Sequence, residues 1–218
     1  MRAAGEEVVN CHRVLAKSGD NLVGELLRGV ETFYEWDHYP KGDVDDRESH
    51  SQYYYRSHPQ DQRPGEHGHF RTFLRPKGIR PARVADYKAP KEKNDALSHL
   101  IGISMDKHGV PIRVFSTNRW VTGEIWYKAA DVCKLLDYFE IDLARPSWPL
   151  NRWLTAMMRL FRPQIIEAIH AHDLAVRQWR KAHPGKSPFE ARKLEITSSI
   201  DTSIDDQVRA IEEALGAR

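Results

Sequence analysis

The sequence predicts an α+β fold, a small antiparallel sheet of two hairpins covered by N-terminal and C-terminal helices, and three observations carry it. Two pairs of strand-length segments flank turn-rich text, one pair within 51–75 and one within 100–117. Apolar residues at helical spacing precede the first pair and follow the second. The 218 residues, 40% apolar and 29% charged, have the length and composition of a single domain over 1–218.

In chain order, Val8, Cys11 and Leu15, then Leu22, Val23, Leu26 and Leu27, mark two short helices over about 5–29. Ser18-Gly19-Asp20 separates them, and Asp20 or Asn21 offers the second helix a capping oxygen. From Glu35 to Asp46 the text is rich in Pro, Gly and Asp and has no period, which predicts a loop. The sheet is expected over about 51–118. Ser51–His58 and His67–Arg75 are rich in aromatic residues and Thr, and the turn-like segment Pro59–Glu66 joins them as a hairpin. If paired residue numbers sum to 125, Tyr54 faces Arg71, Arg56 faces His69 and His58 faces His67, all on one side; a slip by one residue moves His58 to the other side. A long polar connection with three prolines follows over 76–95 and is expected to be mobile. Leu100–Met105 and Ile112–Thr117 form the second hairpin around Gly109, which can supply a positive φ. A helical region is expected over about 122–182. Its first stripe runs through Ile125, Ala129, Val132, Cys133, Leu136 and Phe139, and its second begins near Leu150 and restarts at Pro163. The tail over 187–218 adds a β-favouring stretch, Leu194–Ile204, and a final helix from Asp205 to Leu215.

A net charge of +2 gives no electrostatic footprint for nucleic acid or an anionic membrane surface. No apolar run reaches the roughly 18 residues of a membrane span. Met1–Glu7 also lacks the basic-then-apolar order of a signal peptide, so a cytoplasmic location is expected. Cys11 and Cys133 lie far apart without a second Cys near either, which argues for reduced thiols and against a Cys-based metal site.

Seven of the 11 histidines lie between residues 38 and 108. His67 and His69 are two apart in a strand, so both imidazoles should stand on one face, which suits one divalent metal such as zinc or iron. His58 is the third candidate ligand by register, and Glu66, Asp37 or His38 are alternatives for completing the shell. The competing reading is a pair of hydrogen-bonded histidines on a partly wet face, because His-x-His does not fix a third ligand. His170 and His172 repeat the spacing on a helix, where the two side chains diverge. Arg71 continues the His67/His69 face. A guanidinium there suits a small anionic ligand, held against a metal or in a metal-free pocket, and a cross-strand stack on Tyr54 or Phe73 is the structural alternative. Arg119, in the corner Thr117–Glu124, is expected to converge on the same anion, with a surface pair to Glu124 as its alternative. Two functional classes follow: a metal-binding protein, with or without metal-dependent catalysis on a small anion, and a metal-free binding or adaptor protein using an aromatic, His and Arg patch.

The strings EWDHYP, QYYYRSH, EHGHFRTF and TNRWVTGE, in this order and spacing, resemble an uncharacterised family of bacterial proteins of unknown function from about residue 20 to the tail. In that family the histidine string runs Glu-His-Gly-His-Phe-His, so Arg71 takes the place of a third histidine on the strand face. The resemblance implies a bacterial, cytoplasmic setting and no mechanism.

Overall fold

The computed structural model describes residues 1–59, 61–87 and 97–216. Chain order runs α1 (Arg2–Ala16), α2 (Leu22–Leu27), β1 (Tyr39–Asp45), β2 (Ser51–Arg56), β3 (Gly68–Leu74), β4 (Ser98–Met105) and β5 (Pro111–Thr117). There follow α3 (Arg119–Thr122), α4 (Ala129–Leu135), α5 (Trp148–Leu160), α6 (Arg162–Ala182), β6 (Ile196–Asp201) and α7 (Ile204–Gly216). The class is α+β, as the sequence predicts.

Local chemistry explains most boundaries. Asn21 starts α2 by accepting the amides of Val23 and Gly24, both at 3.0 Å. Ser147 caps α5, and Pro163 stands in the first turn of α6, where its missing N–H costs nothing. In the turn between β4 and β5, Gly109 takes φ +73° while Asp106 accepts the amides of His108 and Val110.

Among the described residues the strands form one antiparallel sheet in the order β1-β2-β3-β4-β5-β6. Pairs between β2 and β3 include Tyr54 with Arg71 and Arg56 with His69, which is the register summing to 125. One face carries Tyr53, Tyr55, Phe70, Ile101, Ile103, Met105 and Val114 into the core shared with the helices. On that side the Tyr53 hydroxyl donates to Asn151 of α5 at 2.6 Å. The opposite face carries Tyr54, Arg56, His69, Arg71, Phe73, Gly102, Ser104, Phe115 and Thr117, and a register shift after Thr72 adds His99 beside Phe73. An antiparallel sheet commonly leaves one face wet. Here nearly all of that second face is buried as well, under irregular chain.

Three expectations change. The loop over Glu35–Asp46 contains β1, and the tail supplies β6, so the sheet is wider than two hairpins. Pro40, Gly42 and Asp43 hide β1 from a propensity reading, yet an edge strand tolerates them because one of its sides has no ladder to complete. Of the connection expected to be mobile, 88–95 lies outside the described residues. Its described part is anchored, since Ile79 and Val84 are buried in the core and the Arg83 guanidinium lies 3.4 Å over the Tyr138 ring.

Gly102 is a packing requirement of the second face. A Cβ there would stand 2.5 Å from the Phe115 ring, which lies across the glycine. Gly102→Ala is expected to destabilise the fold by roughly 1–3 kcal/mol in urea unfolding, because the buried ring has to move and others with it. A variant as stable as the parent would show that Phe115 repacks freely.

Candidate functional site

Strand alternation places His69 and Arg71 side by side on the second face of β3, with Tyr54 and Arg56 beside them on β2 and Ser104 and Gly102 on β4. The crossing segment between β2 and β3 adds His58, Arg63 and Glu66, all buried. Phe115 forms the floor, with the guanidinium carbons of Arg63 and Arg71 at 5.1 and 5.6 Å from its ring centroid.

Glu66 organises one side. It accepts from Ser104 Oγ at 2.6 Å and from His69 Nδ1 at 2.7 Å. Arg63 Nη1 also lies 3.4 Å from His69 Nδ1. The shorter contact to a carboxylate decides the tautomer: Nδ1 carries the proton and donates to Glu66, so Nε2 of the neutral ring is a lone pair. Arg63 is neutralised by Glu66 at 3.5 Å and by Glu195 at 2.9 Å.

Arg71 is different. Its side chain is fully buried, and Nη1 donates to Thr117 Oγ1 at 2.8 Å. Its Nε and Nη2 have no hydrogen-bond partner, and it has no carboxylate partner among the described residues. Three imidazole Nε2 atoms around it, on His58, His69 and His99, are also buried and unpartnered. Burial lowers the Arg71 pKa to about 10. Burial, reinforced by Arg63, Arg56 and Arg71, lowers His58 to about 4; burial with Arg71 as the leading charge drives His69 and His99 well below the usual histidine range. The histidines are therefore neutral at neutral pH, and the cluster is cationic.

Glu124, fully buried behind His99, accepts from the His99 amide at 2.9 Å and from Thr122 Oγ1 at 3.0 Å. Burial raises its carboxyl to about 8 against the opposing pull of Arg71 and Arg119, so near neutrality it is mostly protonated and a weak counter-charge to Arg71.

The cluster has a side towards solvent at His58. Phe33, Tyr34, Glu35, Ser57, His58 and His67 line a groove of about 430 Å³. Trp36 packs edge-on against the His58 ring at 4.3 Å while holding φ +73°, a strained conformation for a bulky residue. A larger surface groove of about 640 Å³ beside α1 and α5 carries two ion pairs, Glu7 with Arg152 and Arg159 with Glu140.

The structure brings together four of the six residues singled out from the sequence: His58, His69, Arg71 and Tyr54. His58 and His69 stack at 5.2 Å between ring centroids. His67 does not join them. It lies one residue before β3, so strand alternation does not govern it, and its Nδ1 meets the Tyr55 hydroxyl at 2.7 Å while its ring stacks on Phe33. Arg119 does not converge with Arg71 either: it pairs with Glu190 at 2.7 Å on the surface, because the Asn118 cap turns the chain outward into α3. Of the alternative shell residues, Glu66 is inside the cluster, while His38 stacks on Tyr54 and meets Asp43 at 3.0 Å. Among the described residues, no group of three or more His, Cys, Asp or Glu is placed to hold a metal ion. Sequence reasoning missed Arg63, His99, Thr117 and Glu124. Only Thr117 and Glu124 carried a usable signal, as the two ends of the corner after β5.

The fold and the site define an α+β protein that buries a cationic polar cluster between an antiparallel sheet and its covering loops. The chain belongs to the family described as a domain of unknown function (DUF6969), whose model matches residues 2–202 and so takes in all six strands. No curated protein and no solved structure matches it. No helix among the described residues is long and apolar enough to cross a membrane.

Proposed function

We propose that the protein binds a small organic carboxylate in the Arg71 cluster, which a ligand reaches past His58 from the aromatic groove. One observation carries this reading: the unpartnered Nε and Nη2 of Arg71 form the side-on edge of the guanidinium, the edge that meets both oxygens of a carboxylate. An uncompensated buried charge is costly, and a bound anion removes the cost. The neutral histidines complete a polar wall without adding charge. A bacterial, cytoplasmic setting is part of the same reading, supported by the family resemblance and by two free thiols.

The rival reading places a divalent metal on His58 and His69, and their two unpartnered Nε2 atoms favour it, with Glu66 behind His69 as an orienting carboxylate. Arg56, Arg63 and Arg71 oppose it, since three guanidiniums raise the energy of any cation placed among them. Thermal melts of untagged protein with millimolar acetate, succinate, lactate, malate and phosphate, together with elemental analysis, separate the two. At saturation near 100 times Kd, a bound carboxylate adds ~2.7 kcal/mol, or roughly 5–10 °C for a chain of this size. Stoichiometric zinc or iron with no response to any carboxylate would overturn the anion reading.

A further inference from the structure

We infer that the ligand is a 2-hydroxy carboxylate, its carboxylate on Arg71 and its hydroxyl donating to His69. The inference rests on the carboxylate reading above and adds the identity of the neighbouring group. It comes from the hydrogen-bond polarity of two adjacent side chains. On one face of β3, Arg71 presents donors only, at Nε and Nη2. Two residues away, roughly 7 Å along the strand, His69 presents the opposite polarity. Its Nδ1 proton is committed to Glu66 at 2.7 Å, and Glu66 is itself held by Ser104 at 2.6 Å and by Arg63, so the ring cannot change tautomer without losing that bond. The remaining Nε2 is an acceptor, buried and without a partner.

A ligand that satisfies both groups carries an anionic acceptor and, close to it, a neutral donor. A hydroxyl meets the second requirement. A 2-keto group does not, because its oxygen would set a lone pair against a lone pair. A 2-amino acid offers donors, but its ammonium would place a cation among Arg56, Arg63 and Arg71. A plain carboxylate leaves Nε2 unpaired. The polarity thus orders the four compounds that share one skeleton: hydroxy, then unsubstituted, then keto, with amino excluded.

The test uses the wild-type full chain and two matched series, lactate, propionate, pyruvate and alanine, and malate, succinate, oxaloacetate and aspartate, with Kd read by titration calorimetry or by thermal shift. The hydroxy acid of at least one series is expected to bind roughly five- to ten-fold tighter than its unsubstituted partner, the value of one hydrogen bond to a buried acceptor. The keto acid is expected to bind more weakly than either. Propionate or succinate binding as tightly as the hydroxy acid, or the keto or amino acid binding best, would overturn the hydroxyl assignment and leave the carboxylate reading standing. No binding by any member of either series would overturn both. His69→Phe should erase the difference between lactate and propionate whatever it does to the affinity for either; the wild-type series decides the matter if that variant does not fold or binds neither.

Discussion

Arg71→Met is expected to raise the thermal midpoint of the ligand-free protein by about 4–8 °C and to abolish its response to carboxylates. A fully buried guanidinium whose pKa falls to about 10 has lost hydration that the structure does not replace. Against that cost stand one hydrogen bond to Thr117 and a stacking contact with Phe115. Replacing such a buried charge by an apolar side chain of similar reach commonly stabilises by ~1–4 kcal/mol, and about 2 kcal/mol corresponds to the stated shift in a protein of this length. A stabilising loss of function marks a residue kept for a ligand. A fall in the midpoint of similar size, with an unchanged carboxylate response, would instead make Arg71 a strut between β3 and β5 and sink the binding site.

Glu124→Gln is expected to leave stability almost unchanged below pH 4.5, to stabilise the protein by about 2 kcal/mol at pH 6 and to stabilise it by a few kcal/mol more at pH 9. The folded-state carboxyl has its pKa raised by burial, from an ordinary 4.5 to about 8. The folded protein therefore binds one more proton than the unfolded chain between those values. Stability from this group is fully present below about 4.5 and is lost as pH rises through 8. The histidines act with the opposite sign. Burial lowers His172 to about 3, and burial with neighbouring guanidiniums lowers His58 to about 4 and moves His69 and His99 in the same direction. Their contribution is present above the unfolded value of 6.5 and is lost as pH falls below it. The combination predicts a stability maximum near neutrality, with a steep acid limb set by several histidines and a shallower alkaline limb set by Glu124. Urea unfolding from pH 5 to pH 9 measures both limbs. An alkaline limb that persists unchanged in Glu124→Gln would show that another group controls it.

Strand alternation and turn chemistry make much of the site legible in the sequence. Once Pro59–Glu66 is read as the turn of a hairpin, the parity of the pairing puts Tyr54, Arg56, His69 and Arg71 on one face, and the structure has that register. Alternation stops where the ladder stops. His67 lies just outside it and turns to Tyr55, so the His-x-His motif separates into two unrelated environments.

The sequence by itself determined the α+β class, the helices with regular apolar spacing, both hairpins and the face on which the polar residues of β2 and β3 stand. Each of these depends on interactions within a few residues or across one short turn. Only the tertiary structure decided that β1 and β6 complete the sheet, that the second face is sealed, and that Arg63, Glu66, His99 and Thr117 close around Arg71. It also decided that Arg119 meets Glu190 instead of a ligand. The physical reason is that local periodicity says which way a side chain points, whereas burial and partners depend on which distant segment covers it. A guanidinium on a strand face is ordinary when wet, and Arg71 is unusual because its burial among groups that include His58, Arg63 and Glu66 takes it from water and leaves its bidentate edge unpaired.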